Sequence, residues 1–190
     1  MRALIPFLTS VFVLAGCESM ARPPVTQPEP TYEQAQNHPL RLANYQAAEE
    51  LVKRLRGPVM TSNQAGVGES PQIIATLANI DALEQSSTLG RVVSEQVASR
   101  LTQMGLSVVE LKVRNGIYMK RSEGEFMLTR EIREVAATHR AQGVIVGTYA
   151  ESASFVHITL KLVNPANSLV LAAYDYSLPL DKQVKSMLRK

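Results

Sequence analysis

Residues 73–113 read IIATLANIDALEQSSTLGRVVSEQVASRLTQMGLSVVELKV. In the middle of this stretch Leu89, Val92, Val93, Val97, Leu101 and Met104 recur at helical spacing. Arg91, Glu95, Ser99 and Gln103 fall on the opposite side. That period places one apolar stripe along a helix. Ser86, Ser87 and Thr88 offer oxygens to its first amides, and Gly105 offers the left-handed residue that ends it. Before the helix, residues 73–78 form a short apolar run after Pro71, consistent with a buried strand. After it, residues 106–113 alternate as a second strand. A helix between two strands is a crossover, which makes the strands parallel neighbours.

Working toward the C-terminus, residues 116–124 read as a turn or short irregular hairpin. Thr129 can cap a second helix whose Ile132, Val135 and Ala136 face inward, ending near Gly143. Residues 144–149, Val-Ile-Val-Gly-Thr-Tyr, are β-branched and read as a third strand. Val156, Ile158, Leu160 and Leu162 then alternate with Phe155, His157, Thr159 and Lys161, the pattern of a half-buried strand. Asn164-Pro165-Ala166-Asn167 turns the chain, and residues 169–178 supply the last strand. The fold class is α/β with α+β mixing, a mixed sheet of about five strands in the order β-α-β-α-β-β-β. Helices lie mainly on one face, and strand order is not specified by the pattern.

Toward the N-terminus, Ala43, Ala47, Leu51 and Leu55 recur at intervals of four, with Ala48 and Val52 alongside. This predicts an N-terminal helix within 40–58, stopped by Gly57-Pro58. Its small, alanine-rich face suits close packing on the core, with a partner-helix interface as the alternative. Residues 59–70 read as a loop. Residues 17–39 hold five of the nine prolines that follow Gly16, a composition that favours extended backbone and reads as a tether reaching roughly 65 Å at full extension.

The first residues are Met-Arg, then an apolar run closing on Leu14-Ala15-Gly16-Cys17. A basic start, a short apolar stretch and small residues make residues 1–16 a secretory signal, outside the fold. Leu-Ala-Gly-Cys resembles the bacterial lipobox. The resemblance implies cleavage before Cys17 and acyl chains on it, and a thiolate is the nucleophile suited to a thioether. Each buried methylene contributes ~0.8 kcal/mol, so two or three chains on one residue hold a protein to a membrane. Glu18 follows, not the aspartate associated with inner-membrane retention, which favours the outer membrane, with the folded part facing the periplasm.

The ordered set Ile74-Ala75-Thr76-Leu77, Leu89-Gly90-Arg91-Val92-Val93-Ser94-Glu95-Gln96, 105–110, 124–130 and 141–149 resembles the FlgO family of flagellum-associated outer-membrane lipoproteins. The resemblance spans residues 73–178 of a domain expected over 71–180, and leaves the N-terminal helix outside it. It implies an accessory of the flagellar basal structure that supports motility, beside a FlgP-like partner lipoprotein and in a homo-oligomeric envelope assembly. It carries no catalytic residues. Within it, Gly90 serves either as a close approach of the helix start to the first strand or as a weak helix position costing up to ~1 kcal/mol against alanine.

The chemistry-bearing residues are sparse. His38, His139 and His157 stand far apart, with no second ligand beside any of them, so no zinc site is expected. No nucleophile elbow, phosphate loop or dinucleotide fingerprint occurs, and the spacing of Glu123 and Glu125 suits a solvated turn. The expectation is a non-enzyme without cofactor. A formal charge of +3 with scattered basic residues argues against nucleic acid. One basic cluster, Lys112, Arg114, Lys120 and Arg121, is either a strand edge blunted by charge or a contact for an acidic partner. Residues 181–190 read as a basic tail. The alternative reading of the whole is a secretion or transport accessory with a TolB- or CsgG-like domain.

Overall fold

A computed structural model describes residues 29–55, 70–111, 119–122 and 125–189. The chain divides at Thr31/Tyr32, and the architecture below belongs to the second unit, Tyr32–Lys190. Its elements in chain order are α1 (Tyr32–Gln36), α2 (Pro39–Leu55), β1 (Gln72–Ala75), β2 (Ala78–Asn79), α3 (Thr88–Gln103), β3 (Val108–Leu111), β4 (Met119–Ser122), β5 (Glu125–Leu128), α4 (Arg130–Thr138), β6 (Gly143–Glu151), β7 (Phe155–Val163), β8 (Val170–Pro179) and α5 (Lys182–Leu188).

The main sheet runs β3-β1-β6-β7-β8, with β2 as a sixth strand beside β6. β3, β1 and β6 are parallel, joined through α3 and α4, and β6-β7-β8 is an antiparallel meander. This is the expected mixed sheet, now with its strand order. β4 and β5 form a separate antiparallel pair over 119–122 and 125–128, overlapping the turn or short irregular hairpin read over 116–124. The stretch read as one strand at 73–78 is interrupted. Ile74 lies opposite Ile145 and Ala78 opposite Thr148, so on the β6 side Ala75, Thr76 and Leu77 span only Val146 and Gly147.

Two hydrophobic layers sandwich the sheet. On one face α2, α3 and α5 cover Ile74, Leu77, Ile145, Ile158, Leu160 and Leu162. On the other, α4 puts Ile132 and Ala136 against Ile73, Val144, Val146 and Val163. β6 is therefore buried on both faces at residues 143–147, which is why it reads as a continuous apolar run. β7 alternates, with Val156, Ile158, Leu160 and Leu162 fully buried.

The helix ends follow from named residues. Ser87 caps α3 by accepting from the Gly90 amide at 3.2 Å. At its other end Gly105 takes φ +87, the Gly105 amide donates to Thr102 O at 3.0 Å and the Leu106 amide to Leu101 O at 3.1 Å. Leu106 and Leu101 are both buried, as this type of stop favours. α4 stops in the same way, but before Gly143. Arg140 occupies the left-handed position at φ +53, and the Ala141 amide donates to Ala136 O at 2.8 Å. Gly143 instead opens β6. Thr129 stands at the start of α4 as expected, yet its buried hydroxyl makes no bond to the first-turn amides.

Gly90 sits where α3 begins against the end of β1. A β-carbon there would lie 2.6 Å from the Leu77 carbonyl and 3.2 Å from the Tyr149 ring. The close approach decides this residue, and helix propensity does not. The N-terminal helix packs on the core, with Leu40, Ala47, Ala48, Leu51 and Val52 buried. Two stretches differ from their sequence reading. One turn of helix, α1, lies inside the residues read as tether. The stretch read as a basic tail contains α5, capped by Asp181 Oδ1 on the Val184 amide at 2.8 Å, with Val184 buried.

Candidate interaction surface

α4 covers only part of its face of the sheet. The remainder, carried by β6, β7 and β8, forms three rows of side chains that run from buried or half-buried on β6 to exposed on β8. Register aligns Val146, Lys161 and Ala173 in one row, Thr148, Thr159 and Asp175 in the next, and Ala150, His157 and Ser177 in the third. Ala173, Asp175, His157 and Ser177 are exposed. His157 Nδ1 lies 2.8 Å from Ser177 Oγ across the two strands. Phe155 is exposed at one end of this surface, and Leu169 and Val170 at the other.

Where α4 gives way to the open rows there is a pocket of about 140 Å³. Leu128, Val146 and Val170 form apolar walls, while Thr148, Thr159 and Lys161 supply polar groups. The volume suits one large side chain, well below the several hundred Å³ of a typical small-molecule site. Among the described residues no three His, Cys, Asp or Glu side chains gather as metal ligands.

The opposite face is closed by polar locks between α2 and its neighbours. Asn44 is fully buried, donates to Gln96 Oε1 at 2.7 Å, and accepts from the Tyr176 hydroxyl. Burial pushes the Tyr176 phenol well above its ordinary value, so it remains a neutral donor. Beside it, Glu49 accepts from Arg100 Nε at 2.9 Å and Nη2 at 2.5 Å. The Tyr45 ring lies under Arg41 at 4.7 Å and Arg100 at 5.4 Å. The Arg41 hydrogen bond, then that of Gln103, hold the Tyr45 phenol below its usual range.

Of the residues singled out from sequence, Cys17, Lys112 and Arg114 lie outside the described residues. Lys120 and Arg121 belong to β4, opposite Met127 and Phe126, and their side chains are outside the described set. Arg130, which follows them, is paired with Glu134 at 2.7 Å on the surface of α4. The three histidines stay apart in role. His38 Nδ1 accepts from the Leu40 amide at 3.2 Å, and its Nε2 lies 3.6 Å from Asp181 Oδ2, joining the start of α2 to the start of α5. Sequence reasoning passed over Asn44, although a polar residue amid Leu40, Ala47, Ala48 and Leu51 at helical spacing was a visible signal.

A family model described as "FlgO protein" matches residues 45–183. The chain belongs to the FlgO family. The match extends past the 73–178 region recognised in the sequence and takes in α2 from Tyr45, so this helix is part of the family domain. No curated protein matches the chain. Among solved structures, the FlgO-family chain is similar to the LpoB C-terminal domain from Salmonella enterica, at 11% identity over 70% of this chain and 94% of that one, with a TM-score of 0.47. It is also similar to the PelC dodecamer from Paraburkholderia phytofirmans, at 14% identity over 70% and 85%, TM-score 0.42. Lipoprotein GNA1162 from Neisseria meningitidis is 13% identical over 60% and 83%, TM-score 0.38.

Proposed function

We propose that this FlgO-family protein is a lipid-anchored, non-enzymatic component of an outer-membrane assembly, an accessory of the flagellar basal structure that supports motility. The observation that carries the reading is the family match over residues 45–183, joined to the lipobox that ends on Cys17. Acyl chains on Cys17 confine the domain to a membrane surface and raise its effective concentration for neighbours held on the same surface. The domain then acts through contacts, with envelope proteins and with copies of itself. Among the described residues no helix is long and apolar enough to cross a membrane.

A pore-forming version of the secretion-accessory alternative would need paired strands free to face lipid. β7 and β8 spend one face on the core beneath the helices, with Leu160, Leu162, Ala172 and Leu178 buried. The test is a deletion in a flagellated host and a Cys17→Ser replacement. Deletion is expected to reduce swimming without slowing growth, and the serine variant to leave the membrane fraction. Normal swimming in the deletion strain, or a serine variant that still sediments with membranes and still supports swimming, overturns the proposal.

A further inference from the structure

β8 ends the main sheet, and among the described residues no strand pairs with its outer edge. It reads Val-Leu-Ala-Ala-Tyr-Asp-Tyr-Ser-Leu-Pro, ten residues with Asp175 as its one charge. Sheet edges are kept from pairing with other chains by lysines, prolines and bulges. β8 has no lysine, and its other two devices stand at its ends. Val163 pairs Val170 while Leu162 pairs Ala172, which leaves Leu171 as the extra residue of a bulge, and Pro179 closes the strand. Between them, residues 172–178 form a regular, mostly apolar edge that no strand of the described residues covers.

We propose that this edge is a self-association surface: β8 of one copy pairs antiparallel with β8 of a second copy, about a two-fold axis at Tyr174. The inference deepens the assembly reading above and rests on it. The register follows from chemistry. Residues directly opposite in an antiparallel pair share a face, so the axis must fall on a residue and not between two. An axis at Asp175 sets two carboxylates opposite each other, which is destabilising. An axis at Tyr176 sets Pro179, which has no amide hydrogen, against the partner's Ala173. An axis at Tyr174 pairs Ala172 with the partner's Tyr176, and Ala173 with the partner's Asp175.

That last register also brings opposite charges into one row. Lys161 on β7 stands opposite Ala173 within its own copy. The partner's Asp175 then lies two strands away from Lys161, at about 9–10 Å between backbones, with only the small Ala173 side chain between. A lysine stem spans that gap, and two-fold symmetry makes the contact twice. The same charges that disfavour the Asp175 axis favour this one.

The test uses the full chain extracted in mild detergent and examined by analytical ultracentrifugation at micromolar concentration. The wild type is expected to sediment as a dimer or a multiple of one. Asp175→Lys should raise the dissociation constant roughly tenfold or more, because it sets like charges in the row. Adding Lys161→Asp to that variant should restore association. Both positions are at least partly exposed, so folding tolerates the exchange. In cells, co-expressed Ala173→Cys and Asp175→Cys copies should cross-link with each other more strongly than either does alone.

A monomeric wild type, an Asp175→Lys variant that associates normally, or a double exchange that fails to restore association overturns the proposal. So does equal cross-linking of single and mixed copies. A wild-type monomer that still fractionates with membranes and supports swimming overturns edge pairing alone. A dimer that is free of the membrane and dispensable for swimming overturns the proposed function alone.

Discussion

Tyr176 on β8 donates its hydroxyl to Asn44 on α2, a residue 132 positions away, and Asn44 in turn donates to Gln96 on α3. One buried amide therefore joins the edge strand to both large helices. An unmade bond at such a site costs more than a made one contributes, because the orphaned partner stays out of water. Asn44→Leu strands the Tyr176 hydroxyl and the Gln96 side chain, and should lower stability by about 2 kcal/mol. Tyr176→Phe should cost about 1 kcal/mol, and the double variant less than the sum, as residues of one network couple. Denaturant midpoints with unchanged slopes check this, and strict additivity would contradict the network.

The same phenol carries a pH signature. Its folded pKa is raised by burial above the ordinary 10.0. Below that value both states keep the proton and the full stability is present. As pH rises past about 10 the unfolded chain releases the proton while the fold retains it, so stability declines toward the folded value. Tyr176→Phe removes this component. The difference in unfolding free energy between wild type and variant, followed from pH 8 to pH 11, should shrink above pH 10; a constant difference would count against the buried phenol.

Arg140 holds φ +53 at the stop of α4, a conformation that strains any residue with a β-carbon and suits glycine. Arg140→Gly should raise stability by about 0.5–1 kcal/mol, read as a higher thermal midpoint. Its side chain is exposed, so little packing is lost in the exchange.

Gly90→Ala should act in the opposite sense to helix propensity. Alanine in α3 would gain up to about 1 kcal/mol in an open helix. Here the methyl group meets the Leu77 carbonyl at 2.6 Å and Ser86 Oγ at 2.7 Å, and Ser86 Oγ is itself bonded to that carbonyl at 2.6 Å. The net effect should be a loss of about 1–3 kcal/mol. A stabilised variant in chemical unfolding would show that the contact yields more easily than the geometry implies.

Asp181 serves two neighbours, the Val184 amide of its own helix and His38 Nε2 at the start of α2. Asp181→Ala should cost about 1 kcal/mol through the cap. Asp181→Asn keeps an oxygen for the cap and should cost only a few tenths, since a partly exposed polar contact at 3.6 Å contributes little. Equal losses for the two variants would transfer the weight from the cap to the histidine contact.

How far the sequence reached depended on the range of the interaction. The stripe Leu89, Val93, Val97, Leu101 and the alternation of Val156 to Leu162 were legible because periodicity reports which face is buried. Ser87 and Gly105 were legible because a cap lies within a few residues of what it caps. Arg140 was not, since a non-glycine residue in the left-handed region carries no compositional mark. Nor was α5, whose short span shows little period and whose one fully buried residue, Val184, is held by the core of α3 and the sheet.

The chain on its own thus determined its larger helices and main strands, their buried faces and the parallel-then-antiparallel succession, because each depends on neighbours along the backbone. Only the tertiary structure decided that β1 lies between β3 and β6, that α4 leaves the β6–β8 rows open, and that β8 stands at the edge. Those facts depend on which buried face meets which, and one apolar stripe is chemically much like another until the layers close on a shared core.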